Sequence, residues 1–250
     1  MTPWRLIPLE ERDAAMAMAL DEAASEHIGR GESPATLRFW RWKPSAVSIG
    51  CFQSMQQEVN VQRCDQLGVQ YVRRRTGGGA VYHDYQGEIT YSVIAPQALM
   101  PAGIRESYQL ICGWVIAGLA KLDIRAEFRP INDIQVNDKK ISGNAQTRRN
   151  GTVWQHGTVL YQLDADQMFS VLNVTKEKIS DKLIATVQDR VTSIQALRPN
   201  TTYTELYDAL REGMVDGKEY TPGQWTHSEI ARAEQLARER YANPEWNFSR

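Results

Sequence analysis

Three consecutive arginines run into three consecutive glycines at Arg73-Arg74-Arg75-Thr76-Gly77-Gly78-Gly79, and Ala80-Val81-Tyr82-His83-Asp84 follows. This run constrains the fold more than any other stretch because of what flanks it. Val69-Gln70-Tyr71-Val72 has strand composition, and Glu88 to Ile94 alternates apolar with polar until Pro96 stops it. The glycines therefore sit in a strand–loop–strand unit, with Asp84-Tyr85-Gln86-Gly87 as a turn. If the first strand runs on to Thr76, Arg74 and Thr76 share one face while Arg73 and Arg75 share the other. Glycines carry no Cβ, so a ligand can approach bare backbone there. N–H groups beside guanidinium forks suit a phosphate or a carboxylate.

The rest of the chain predicts a mixture of strands and helices. Residues 4–8 read as a short strand and Glu11 to His27 as a helix rich in Ala and Met, ended by Gly29, Gly31 and Pro34. Thr36–Trp42 and Ala46–Gly50 read as strands separated by Pro44. Trp40 and Trp42 are expected in the core. Glu58 to Leu67 reads as a helix closed by Gly68. Ile104 to Leu122 is the clearest helix, with Tyr108, Ile111, Cys112, Val115, Leu119 and Leu122 on one face. Cys112 on that face is a buried small hydrophobe, not a nucleophile. Asn137-Asp138 and Asn150-Gly151 are hairpin turns, giving three antiparallel strands near 132–136, 139–147 and 152–162. His156 falls in the third, where a structural role and a functional one are equally open. Asp164 to Asn173 is a short helix, and residues 175–198 are polar without long periodicity. Thr202 to Met214 is helical, and Thr226-His227-Ser228-Glu229 is a capping box opening a helix to about Tyr241.

Antiparallel meanders mixed with helices argue for an α+β fold with a mixed, largely antiparallel sheet, not a doubly wound one. No internal repeat or long linker divides residues 1–250, so one domain is expected, with about 200–250 as its C-terminal helical portion. Lys plus Arg number 29 and Asp plus Glu 30, a net charge of -1, which argues against a nucleic-acid footprint. Basic residues are instead clustered at Arg73–Arg75, Lys139-Lys140 and Arg148-Arg149, which fits a small anionic ligand. Cys51, Cys64 and Cys112 lack metal or disulfide spacing. The N-terminus has no apolar signal region and no run approaches a membrane span, so cytoplasm is the expected location. A Walker A loop is absent, and the glycine run leads into a strand, unlike a dinucleotide fingerprint. The phosphate site implied is built from arginine, glycine backbone and Lys140.

R-R-x-T-G-G-G-A-V-Y-H-D, then N-D-I, then K-K-I-S-G-N-A-Q with Q-H-G-T downstream, resembles the lipoate–protein ligase family. Glu177-Lys178-Ile179-Ser180-Asp181-Lys182 and Pro244-Glu245-Trp246-Asn247-Phe248 resemble further segments of it, so the likeness covers nearly the whole chain. It implies a fold like the catalytic domains of biotin ligases and class II aminoacyl-tRNA synthetases. It implies that lipoate and ATP give lipoyl-adenylate, whose acyl group then passes to a lysine of a lipoyl-domain protein. Such acceptors are the acyltransferase subunits of 2-oxoacid dehydrogenases and the glycine cleavage H protein. By the same resemblance Arg74 holds phosphate, and Gly77, Gly78, Gly79, Ala80, Val81 and Tyr82 contribute to the nucleotide site. Thr76, His83 and His156 are pocket residues. Asp133 contacts Mg²⁺ or nucleotide. Lys140 touches both the acyl carbonyl and the α-phosphate and is the catalytic residue. Trp40 or Tyr91 lines an apolar acyl tunnel.

Many family members continue into an accessory domain, whereas this sequence stops at Arg250. A separate accessory-domain protein is therefore expected. Related octanoyl and lipoyl transferases use a cysteine just upstream of the N-D-I region and no ATP. Here that stretch is Ala126-Glu127-Phe128-Arg129-Pro130-Ile131, without cysteine. The ligase reading is preferred on the need for a thiol. Transferase, non-catalytic binder of lipoate or acyl-adenylate, and biotin ligase are the alternatives; the last lacks its G-R-G-R-x-G stretch.

Overall fold

Alternating side chains on three adjacent strands build the platform on which everything else rests. The computed structural model describes residues 3–173 and 189–250. Its larger sheet has the order β11-β1-β2-β6-β10-β9-β8-β7. These are Trp4–Arg12 (β1), Thr36–Trp42 (β2), Glu88–Pro96 (β6), Glu127–Arg129 (β7), Asp133–Val136 (β8), Lys139–Arg149 (β9), Thr152–Leu160 (β10) and Tyr220–Pro222 (β11). β1 pairs in parallel with β2 and β11, and the remaining pairs are antiparallel. A smaller sheet, β4-β3-β5, joins Ala46–Ile49 (β3), Gln70–Arg73 (β4) and Val81–His83 (β5). The α+β class with a mixed, largely antiparallel sheet is as the sequence predicts.

On one face of the larger sheet, Leu37, Phe39, Ile89, Tyr91, Val93, Val153 and Val159 form the main core. They pack with apolar residues of helices α4 (Ile104–Ala120) and α5 (Tyr203–Val215). The opposite face is polar at its centre, with Arg38, Thr90, Ser92 and His156 all buried. It is covered by helix α1 (Ala14–Gly29) and by the smaller sheet. Trp40 and Trp42 join α1 and Val72 of β4 in a second apolar cluster. The space between the two sheets is where the site lies.

Several boundaries differ from the sequence reading, each for a local reason. β1 continues to Arg12 through a register shift between Ile7 and Glu10. Pro8 sits in that irregularity, where no ladder hydrogen bond is asked of it. Helix α1 starts at Ala14 because the Asp13 side chain accepts from the Met16 N–H. The helix expected over 58–67 is two: Met55–Glu58 (α2) and Val61–Leu67 (α3). Val59 between them bridges to Leu172, and Asn60 caps α3. β4 ends at Arg73, short of Thr76, and β7 is an edge strand that the sequence reading did not assign. Both hairpin turns are present, with positive φ at Asn137, Asp138, Asn150 and Gly151. The Glu177–Lys182 segment of the family resemblance lies outside the described residues.

Candidate active site

The three arginines have three different tasks, because alternation and the end of β4 send them different ways. Arg73 is fully buried and clasps the C-terminal segment. Its N–H donates to Asn247 Oδ1 at 2.8 Å, and its guanidinium donates to the carbonyls of Trp246 at 2.9 Å and Asn247 at 2.9 Å. Trp246 Nε1 donates back to the Arg73 carbonyl at 2.8 Å. Arg75 pairs with Glu22 at 3.4 Å. Arg74 turns inward.

Arg74 is 5% exposed, and every donor group of its guanidinium is bonded. Nε donates to Thr76 Oγ1 at 3.1 Å, and Nη1 to the Ser48 carbonyl and hydroxyl at 3.1 and 3.2 Å. Nη2 donates to the carbonyls of Gly77 and Gly79 at 2.7 and 2.9 Å. None of these acceptors carries charge, and among the described residues no carboxylate pairs with this cation. Burial pushes its pKa down to about 10, which leaves it charged at neutral pH. A buried cation held only by neutral oxygens keeps its charge uncompensated, which favours an anion nearby. The glycine loop reaches it by passing close to β3. A Cβ on Gly50 would collide with the Gly78 carbonyl, so the loop needs glycine there to lie down.

A mostly apolar cavity of about 310 Å³ opens beside this arginine, between the two sheets. Of the positions predicted from sequence, Arg74, Gly78, Gly79, Ala80, Val81, Tyr82, His83, Lys140 and His156 line it. Thr76 and Gly77 do not. Thr76 is fully buried behind the wall, bonded to Arg74 and to His156 Nε2 at 2.9 Å, and Gly77 offers its carbonyl to Arg74. Asp133 is likewise not on the wall; its Oδ1 lies 2.7 Å from Lys140 Nζ. Trp40 is both fully buried and part of the wall. Tyr91 is not on the wall. The pleat places it with Ile89 and Val93 on the core face, where its hydroxyl donates to Asn144 Oδ1.

Lys140 stands at the open side of the cavity with its side chain 40% exposed. Gly143 makes room for it: a Cβ there would lie 2.8 Å from Lys140 Cε and 2.9 Å from Nζ. The ammonium, the Arg74 guanidinium and the glycine-loop backbone thus meet around one apolar volume. That combination can bring two anions together beside an acyl chain. None of the three cysteines lines the cavity. Burial pushes the Cys112 thiol up to about 12 and the Cys64 thiol to about 11.

Sequence reasoning missed the buried polar residues Ser48, Glu88 and Thr90 of this wall and Asp21 behind it. Ser48 Oγ lies 2.8 Å from His83 Nε2, and His83 Nδ1 lies 2.6 Å from Glu88 Oε1. Thr90 Oγ1 donates to the same Glu88 oxygen at 2.9 Å. Asp21, from α1, accepts from Arg38, Ser92 and Trp154. A signal was present. Glu88, Thr90 and Ser92 put three polar side chains on one face of a strand whose other face is apolar. Asp21-Glu22 ends a run of Ala, Met and Leu within α1.

An apolar cavity between two sheets, with a lysine and an arginine on its wall, suits an enzyme that handles acyl groups. The chain matches the lipoyl protein ligase A/B catalytic domain over residues 13–215, and it belongs to that family. It is 34% identical to the octanoyltransferase LipM of Brevibacillus brevis over 279 residues, covering 100% of both chains. Among solved structures it is similar to a bi-partite lipoate protein ligase from Thermoplasma acidophilum, described with its E2 lipoyl domain. The TM-score is 0.88 at 29% identity, covering 99% of this chain and 97% of that one. A lipoate-protein ligase A bound with ATP matches with a TM-score of 0.83 at 27% identity, covering 99% of each chain.

Proposed function

We infer that this chain activates lipoate with ATP and passes the lipoyl group to a lysine of a lipoyl domain. The observation that carries the reading is the meeting of Arg74, Lys140 and the glycine loop on one apolar cavity with no cysteine on its wall. In the first step a lipoate carboxylate oxygen bonds to the α-phosphorus, and the bond to the β-phosphate breaks to release pyrophosphate. Lys140, at the mouth, neutralises the charge that builds between the two anions. Arg74 exchanges its neutral carbonyl partners for phosphate oxygens. Mg²⁺ would arrive on the triphosphate, with Asp133 as its carboxylate contact, and would neutralise phosphate charge. A single carboxylate plus water and phosphate suits that ion. Among the described residues no group of three or more His, Cys, Asp or Glu is placed to hold a metal by itself. In the second step the acceptor lysine attacks the acyl carbonyl, AMP leaves, and Lys140 again holds the negative oxygen.

The related ligase from Thermoplasma acidophilum is bi-partite, which supports a separate accessory domain as the partner in adenylation. That relative was solved with its E2 lipoyl domain, which supports the acceptor class. ATP–pyrophosphate exchange with lipoate and Mg²⁺, with and without an accessory-domain protein, tests the reading. Exchange that disappears in Lys140→Ala is expected. A binder without turnover would show no exchange in either protein.

A second reading has the stronger support from sequence: the chain is 34–36% identical over nearly its whole length to octanoyltransferases of several bacteria. It takes octanoate from a carrier-protein thioester without ATP. Octanoyl transfer without exchange would select it over the ligase.

A further inference from the structure

We propose that Ser48, His83 and Glu88 form a nucleophilic set in the cavity wall that carries a medium-chain acyl group as a serine ester. All three line the cavity, and all three are buried. The distances are those of a working hydroxyl–imidazole–carboxylate relay: 2.8 Å from Ser48 Oγ to His83 Nε2 and 2.6 Å from His83 Nδ1 to Glu88 Oε1. The carboxylate fixes the tautomer. With Nδ1–H donating to Glu88, Nε2 is left as the acceptor for the Ser48 hydroxyl proton. Trp42 stacks on the imidazole at 4.1 Å and 15°, which holds the ring plane.

Three further observations separate this set from an ordinary buried polar contact. Glu88 Oε2 is buried with no hydrogen-bond partner among the described residues. A carboxylate left half satisfied is costly unless its charge has a task, because apolar packing at the same place would be more stable. The Arg74 guanidinium donates to Ser48 Oγ at 3.2 Å, so a cation stands beside the attacking oxygen and favours its negative charge. The N–H groups of Gly78 and Gly79, on the same wall, are bonded to no acceptor among the described residues. They are backbone donors of the kind that hold an oxyanion.

The step needs an acyl donor with a good leaving group, of which a thioester is the class. Ser48 Oγ bonds to the acyl carbon, its proton passes to His83 Nε2, and the C–S bond breaks with the thiol taking that proton. A lysine amine then attacks the ester and loses a proton to His83. The C–Oγ bond breaks, and Ser48 recovers its proton. The route uses no ATP and no cysteine, so it goes beyond the ligase reading and stands or falls separately from it. Ser48 and His83 are catalytic in this scheme, and Glu88 is a positioning residue.

The test incubates the full chain, without ATP, with the octanoyl thioester of N-acetylcysteamine. Intact-mass analysis reads acylation, and peptide mapping of the wild-type protein locates it. Acylation at Ser48 is expected. Ser48→Ala and His83→Gln should each lower thioester cleavage by about 10²-fold or more. Glu88→Gln should lower kcat by a similar factor while KM for the thioester stays unchanged, a split that a loss of packing would not give. An acyl group found on another residue, such as an amide on Lys140, or no covalent acyl-protein in the wild type, overturns the proposal. Mapping on the wild type keeps the test valid if a variant fails to fold. Pyrophosphate exchange, which needs ATP, reports on the ligase reading alone.

Discussion

Two imidazoles, His83 and His156, occupy the same cavity wall with the same neighbours by type, a hydroxyl on one side and a carboxylate on the other. Arg74 touches both hydroxyls, Ser48 and Thr76. The difference lies in the acids. Glu88 gives one oxygen to His83 and Thr90 and keeps the other unbonded. Asp21 is already held by Arg38 at 2.7 Å, by Ser92 and by Trp154, and it stays 3.6 Å from His156 Nδ1. His156 therefore has a charged neighbour but no hydrogen bond to that carboxylate, and its Nδ1 is without a partner among the described residues. Burial holds its pKa below the ordinary 6.5, with Asp21 opposing that shift. Burial also opposes the ionisation of Asp21. Arg38 chiefly, then His156 and Ser92, outweigh it and hold the carboxyl below 3.8. A carboxylate orients an imidazole only when it has no stronger engagement elsewhere.

Breaking the Asp21 knot should give the largest effect. Asp21→Ala leaves Arg38 buried beside an empty place and should destabilise the fold by about 3–5 kcal/mol, read by urea unfolding. Glu88→Gln should cost less, because among the described residues Glu88 has no lysine or arginine partner; equal losses would erase the contrast between the two sites. Lys140→Ala, which touches neither imidazole, should lower acyl transfer by about 10²–10³-fold with an unchanged unfolding midpoint. Gly143→Ala moves the Lys140 tail instead of removing it, and about tenfold is expected in the same assay. The smallest effect sharpens the contrast through pH. Because the folded His156 resists protonation, the unfolded chain binds that proton first as pH falls below 6.5. Stability is full above 6.5 and declines below it, and His156→Gln should flatten that slope. A slope unchanged by the substitution would place the proton elsewhere.

Much of this was legible in the sequence, and the parts that were not share a cause. The alternation of β6, the two hairpin turns and the capping box of Thr226 and Glu229 are local, and each is present. The glycine loop and Lys140 were identifiable as one site because motif and chemistry agree. The division of labour among Arg73, Arg74 and Arg75 was hidden, since the C-terminal partners of Arg73 are 173 and 174 positions away. Glu88 and Ser48 were also hidden. They flank the motif in sequence, but only the register that pairs β3 with β5 brings the serine to the imidazole. Tyr91 was misplaced because its residue type suits an acyl tunnel, whereas its parity along the strand decides its side.

The clasp between Arg73 and residues 246–247 also sets a clock during biosynthesis. The backbone N–H of Arg73 waits for an acceptor 174 residues downstream. At about 5–20 residues per second, that partner leaves the ribosome roughly 10–35 s after the arginine is made. The strand that leads into the glycine loop is thus completed by residues made late in synthesis.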